Sequence, residues 1–252
     1  MRKRLLVLLA AGFLLAGLVG VSQAALVTIG TASYGGTNYK LIYDDDDTGY
    51  GGGGLVWFDY KHPYGTLAEQ KNWASGLGGQ LAVTLTGYRT NIDWSAGWRL
   101  PDTVNGPWVS GFEGDPDNDG LYSYTGGYNL ANSEMGHLFY TELGNTGYQN
   151  TDGSFNTTLP PLPNRFLLET GDFDYLVGSS AYWSGAEYVS SSSYAWLFYM
   201  GLGEQAYYRV DRDALGLAVH EGQVSAVPIP GAFWLLGSGL FGLVAVRRRK
   251  KG

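Results

Sequence analysis

Two apolar runs bracket the chain, and a different pattern fills the space between them. Residues 5–21 are apolar without interruption, and residues 229–246 form an 18-residue stretch with no charge. Between them the apolar positions come in short alternating groups. Residues 26–29, 39–43 and 55–60 read as strands. The acidic, glycine-rich connection that starts at Asp44 makes the last two a hairpin with a long loop. Residues 66–77 switch to a helical period. Thr66 and Glu69 have capping-box spacing, Leu67, Gln70, Trp73, Ala74 and Leu77 fall largely on one face, and Gly78-Gly79 stops the helix. A second helix is predicted over 134–143, capped by Asn132-Ser133 with Glu134 in its first turn. Met135, Leu138, Phe139 and Leu143 share its apolar face with Glu142 as the polar exception, and Glu134 and His137 lie opposite. In Trp98-Arg99-Leu100-Pro101 the apolar residues alternate with Arg99 as in a strand entering a core, and Pro101 ends it. Trp183, Trp196 and Phe198 are expected in that core.

The flanks of the two long runs give them different meanings. Arg2, Lys3 and Arg4 precede the first, and Ser22-Gln23-Ala24 closes it with small residues. This is the pattern of a Sec-type signal peptide, residues 1–24, cleaved after Ala24 by signal peptidase. The second run, built as a helix, would be about 27 Å long and matches a bilayer core. Pro228 and Pro230 mark its start, and Arg247, Arg248, Arg249, Lys250 and Lys251 follow it. The expected organisation is an ectodomain over 25–222, a linker over 223–230, a transmembrane helix over 231–246 and a basic cytoplasmic tail over 247–252.

Charge sharpens the picture of the ectodomain. All 23 acidic residues lie in it, against only 8 of the 16 basic ones, an excess of 15 negative charges. This argues against nucleic acid and anionic headgroups as partners, because like charge repels at close range, and suits cations or a hydrated polysaccharide. The chain has no cysteine, so an exported domain of about 200 residues must be held by packing alone. The supply is 19 Tyr, 8 Trp and 10 Phe, and 39 Gly point to tight turns and irregular loops.

The order Val227-Pro228-Ile229-Pro230, then Trp234 to Leu240, then Arg247 to Lys251 resembles the PEP-CTERM protein-sorting signal, with Ile229 where the family has Glu. The resemblance implies recognition by an exosortase, a membrane-embedded transpeptidase that cuts near the Pro-x-Pro motif. Its substrates are anchored in the inner membrane by the C-terminus, then delivered to the cell surface or an extracellular polysaccharide.

A second resemblance runs through the ectodomain. Leu55-Val56-Trp57, the helix carrying Thr66, Gln70, Trp73 and Ala74, then Trp98-Arg99-Leu100-Pro101 and Tyr182-Trp183-Ser184-Gly185-Ala186-Glu187-Tyr188 follow one another in order. This series is similar to the Lcl C-terminal-like domain, related to the C-type-lectin-like fold. Asp102 stands where that family has Thr, and Gly185-Ala186 where it has Ser-Thr. The resemblance implies an α+β, C-type-lectin-like mixed domain of short twisted antiparallel strands, two main helices and long loops.

Candidate chemistry is sparse. Asp115, Asp117 and Asp119, followed by Gly120, place oxygen ligands at alternate positions as in the first half of a calcium loop. Gly126 stands where such a loop needs a bidentate Glu, and Glu113 is an upstream substitute. Glu134 and His137 have the Glu-x-x-His spacing of a metal pair, but such sites draw ligands from other helices. His62, His137 and His220 share no metal-ligand spacing, so a histidine-based metal site is not expected. No nucleophile-elbow, zincin or phosphate-loop pattern occurs. The chain therefore reads as a non-enzymatic surface or matrix protein that binds glycan or protein, with calcium as the one candidate cofactor. A structural matrix component without a specific ligand and a polysaccharide-acting hydrolase are the alternatives.

Overall fold

The computed structural model describes residues 26–45, 54–86, 92–115, 122–157 and 167–222. The segments read above as signal peptide, sorting motif, transmembrane helix and basic tail lie outside them. Among the described residues no helix is long and apolar enough to cross a membrane.

The chain opens as a meander. Strands β1 (Leu26–Tyr34) and β2 (Thr37–Asp44) are joined by Gly35-Gly36, whose φ angles of 57° and 82° make the two-residue turn that matches strand twist. Strand β3 (Leu55–Gly65) then pairs antiparallel with β2, Asp44 opposite Leu55, which is the predicted hairpin. Helix α1 (Leu67–Gly76) follows directly. Its N-terminus is a capping box: the Thr66 hydroxyl accepts from the Glu69 N–H, and the Glu69 carboxylate accepts from the Thr66 N–H at 2.8 Å. The buried Gln70 stitches the helix to its neighbours, donating to the carbonyls of Pro63 (2.6 Å) and Ala214 (3.0 Å). The close approach needs Gly216, because any side chain there would run into the Gln70 carboxamide.

The remaining strands are β4 (Ala82–Leu85), β5 (Ser110–Gly111), β6 (Gly126–Tyr128), β7 (Ala181–Glu187), β8 (Tyr194–Tyr199), β9 (Glu204–Arg209) and β10 (Ala214–Glu221). They form one ten-stranded sheet in the order β4-β1-β2-β3-β10-β7-β8-β9-β6-β5. All neighbours are antiparallel except β10–β7 and β5–β6. Adjacent residues of the central strands enter different cores. Leu41, Phe58, Trp183 and Leu197 pack on the α1 face with Trp73 and Trp98. Ile42, Trp57, Tyr182 and Phe198 pack on the other with Leu138 and Phe139. A strand buried on both faces reads as continuous apolar sequence, as Leu41-Ile42 and Val56-Trp57-Phe58 do. Trp183, Trp196 and Phe198 are at most 1% exposed.

The expected C-type-lectin-like α+β domain, with short antiparallel strands and two main helices, is not what forms. The domain is mostly a ten-stranded mixed sheet, with two short helices beside it. Two physical causes stand out. The strands run longer than their apolar stretches, because tyrosine, threonine and tryptophan favour extended backbone and a glycine pair turns it tightly. The second helix is also cut short. Ser133 caps it, accepting from the Gly136 N–H at 3.0 Å, but α2 is only Glu134–His137. Residues Leu138–Glu142 widen into a π turn, closed by a Leu143 N–H bond to the Leu138 carbonyl at 2.9 Å, and Gly144 stops it at φ 63°. The wide turn still holds Met135, Leu138 and Phe139 in the core.

Where β6 meets β9, Glu204 sits opposite Tyr128. Burial pushes the Glu204 carboxyl above the usual range, with the Tyr128 hydroxyl pulling the other way. A raised native pKa means the folded state holds the proton more tightly, so this group favours folding at low pH and less so as pH rises through its native pKa. Glu204→Gln is expected to exceed the wild type in melting temperature at pH 7, with the gap closing as pH falls to about 4. A gap that stays constant across thermal scans from pH 7 to 4 would contradict the assignment.

Candidate functional site

The Trp98–Pro101 segment is not a full strand. Arg99 makes a single bridge with Val219 of β10, through both backbone bonds, at 2.9 and 2.8 Å. Trp98 and Leu100 turn into the α1 core at 4% and 3% exposure. The Gly185 N–H donates to the Pro101 carbonyl at 2.8 Å, so the Trp98–Pro101 and Tyr182–Tyr188 motifs are bonded to each other.

Arg99 itself spends every donor it has. Nη1 and Nη2 form a fork on the Glu134 carboxylate, both at 2.7 Å. Nη2 and Nε reach Glu221 at 2.7 and 3.3 Å, and Nη1 also donates to the Leu100 carbonyl at 3.2 Å. A guanidinium carries five N–H groups, and five bonds are made. Burial opposes its charge, but Glu134 and Glu221 outweigh it and hold the group firmly protonated. Glu134 is 2% exposed and takes a further bond from the Asp102 N–H at 2.7 Å. Arg99 is therefore a structural knot, with no donor left over for a ligand.

Above that knot lies a recess of about 370 Å³ between α1 and the Trp98–Asp102 segment. Trp98 and Leu100 form its apolar base, and Lys71, Asn72, Ser75 and Asp102 its polar rim. A second recess of about 360 Å³ adjoins along the same helix, lined by Thr66, Leu67, Ser192 and Asp211 among others, and Lys71 belongs to both. Lys71 bridges to Glu187 at 3.3 Å with both side chains more than a third exposed. An exposed pair of this kind contributes about 0–1 kcal/mol, so a ligand can displace it cheaply. The arrangement suits an elongated, hydroxyl-rich ligand: apolar base, polar rim and no strong net charge.

The predicted site residues fall elsewhere. Asp115 ends a described segment, while Asp117 and Asp119 lie outside the described residues. Glu113 is engaged by the Tyr124 hydroxyl and the Phe112 N–H, which hold its carboxyl below the usual range. Val227, Pro228, Pro230 and the five terminal basic residues are also outside. The Glu134–His137 pair does not form. Glu134 goes to Arg99, and His137 faces Glu142 at 3.2 Å. Neither residue is on a solvent face, since α2 is covered all round, with Glu134 and His137 both buried. Lys71 and Asn72 were missed as rim residues; the only signal for them is their place on the polar side of α1.

Comparison with protein-family models, curated proteins and solved structures finds no match to this chain.

Arg99→Ala leaves Glu134 buried without its counter-charge and is expected to cost about 3–5 kcal/mol in urea unfolding. Arg99→Lys should recover only part of this, because an ammonium lacks the planar fork. A loss below about 1 kcal/mol for Arg99→Ala, the value of a surface pair, would overturn the knot.

Proposed function

We propose that this is an exported, non-enzymatic surface protein, sorted by an exosortase and delivered to the cell surface or extracellular polysaccharide. There its β domain binds glycan in the paired recess along α1. The observation that carries the sorting is the ordered array at the C-terminus: Pro228 and Pro230, an 18-residue uncharged run, then five consecutive positive charges, in a chain that begins with an export signal. Such an array holds the tail in the inner membrane with the bulk of the chain outside until it is cut. The excess of negative charge on the ectodomain favours an uncharged polysaccharide, or one bridged by cations.

The recess supports the glycan part of the reading. Sugars present a fringe of hydroxyls, and Asn72, Ser75 and Asp102 around the recess offer hydrogen-bond partners to them, above a floor closed by the nearly buried Trp98 and Leu100. Neither recess holds a histidine or cysteine, the first has one carboxylate, and binding without turnover is what its chemistry favours.

The sorting is tested by the intact mass of protein recovered from the cell surface. A C-terminus near residues 227–230 is expected, and a mass running through Gly252 overturns it. The recess is tested by sedimenting that protein with the extracellular polysaccharide of the producing cells. An Asn72→Ala/Asp102→Ala double variant is expected to bind about tenfold more weakly, a change of about 1.4 kcal/mol. Unchanged binding would remove the recess from the function.

A further inference from the structure

The face of the sheet away from the recess holds a buried cluster of two carboxylates and an imidazole. Asp44 lies two residues after Ile42 on β2, so the pleat points it into the core that Ile42 enters. α2 and its π turn cover that core. There one carboxylate oxygen each from Asp44 and Glu142 and one ring nitrogen of His137 lie within 4.8 Å of one another. The three side chains are 1%, 1% and about 9% exposed respectively for Asp44, Glu142 and His137.

The π turn explains how two of them meet. His137 and Glu142 are five residues apart, a spacing that a regular α-helix sends to different faces. A turn with i to i+5 bonding stacks them, and His137 Nε2 comes to 3.2 Å from Glu142 Oε1. The other oxygen, Glu142 Oε2, is fully buried and has no hydrogen-bond partner among the described residues. A buried carboxylate oxygen left bare is costly, and native structures fill such a position with a proton, a water or a cation.

We propose that Asp44, His137 and Glu142 bind a divalent transition-metal cation of the zinc class. One imidazole and two carboxylates form a mixed nitrogen and oxygen set, which suits Zn²⁺ or Mn²⁺ better than the all-oxygen preference of Ca²⁺. Two carboxylates match the charge of a dication. Bonds of about 2.0–2.1 Å in tetrahedral geometry set ligand atoms about 3.3 Å apart. The His137–Glu142 edge has that length already, and the cluster closes by no more than about 1.5 Å at its widest pair. Glu142 Oε2 lies where bidentate chelation adds a donor whose bite is shorter than a tetrahedral edge, and a tetrahedral fourth position is left to water. The burial of all three groups leaves no path for a substrate, so the site is structural: it fastens the end of β2 to the π turn in an exported domain that has no cysteine. This holds whether or not the tail is processed or the recess binds glycan.

The test uses the full chain purified from its cells without chelator. Elemental analysis is expected to find about one equivalent of Zn or Mn per chain. A strong chelator should strip it and lower the melting temperature, and added Zn²⁺ should restore both. Glu142→Gln and His137→Gln should each weaken retention of the metal at least about tenfold. If a variant does not fold, stripping and refilling the wild type decides alone. Metal-free protein whose melting temperature ignores both chelator and Zn²⁺ overturns the site and leaves a buried cluster sharing protons. A response to Ca²⁺ alone that survives Glu142→Gln and is lost in Asp117→Ala/Asp119→Ala also overturns it, by placing the ion in the acidic loop.

Discussion

Arg99 is the point through which the architecture is tied. It comes from an irregular segment, its two acceptors come from the start of α2 and the end of β10, and its backbone bridges Val219. Three parts of the chain more than 30 residues apart are thus fixed by one side chain. The fork on Glu134 also ties the start of α2 to Asp102, because Glu134 takes the Asp102 N–H on the same oxygen that Arg99 Nη1 uses. A buried ion pair is weak evidence of net stability, since desolvation offsets much of the attraction. What it supplies here is position. Trp98, Leu100 and Asp102 of the recess lie on either side of Arg99, and they stay in place because Arg99 cannot move without stranding two carboxylates.

A sheet buried on both faces needs two covers, and the two covers make the two sites. Alternation sends Leu41, Phe58 and Trp183 to one side and Ile42, Trp57 and Tyr182 to the other. α1 covers the first, and its polar edge becomes one wall of the recess. The short α2 with its π turn covers the second, and its polar exception, Glu142, meets Asp44 there. The polar groups that each cover cannot avoid are placed where they acquire partners or line a cleft. Asp59 shows the same rule without any site attached: 1% exposed, it accepts the backbone N–H groups of Asp174 and Tyr175 at 2.8 and 3.0 Å.

Local features were legible in the sequence, and those requiring three-dimensional closure were not. The Thr66–Glu69 capping box, the hairpin from β2 to β3 and the burial of Trp183, Trp196 and Phe198 all follow from spacing and residue type. The Gly35-Gly36 turn was equally readable but went unused, and with it the length of β1 and β2. Helix 134–143 failed for a subtler reason. Its apolar period is real, but the same positions serve an α turn followed by a π turn, and period alone does not separate them. The fold class failed further out. The parallel contact of β10 with β7, through Leu215 and Tyr182, joins the two antiparallel halves into one sheet, and nothing local to either residue announces it. Likewise Asp44 and Glu142 are almost a hundred residues apart. A rule that looks for histidine partners at ligand spacing along the chain cannot bring them together.

The absence of cysteine gives these polar clusters a common logic. An exported domain commonly fastens its loops and strand ends with disulfides, which act largely by restricting the unfolded chain. Here the same places are held by charge. Arg99 joins the Trp98–Pro101 segment to α2 and β10, and Lys40 ties β2 to the 172–174 loop through Asp174 at 2.9 Å and the Asp172 carbonyl at 2.7 Å. Asp44, His137 and Glu142 join β2 to the π turn. Electrostatic fastenings are insensitive to redox state but respond to pH and to cations, which disulfides do not. On the proposed reading of the chain as an exported protein, its acidic surface and its buried carboxylates are the groups that meet counter-charge in surroundings rich in polysaccharide and metal ions.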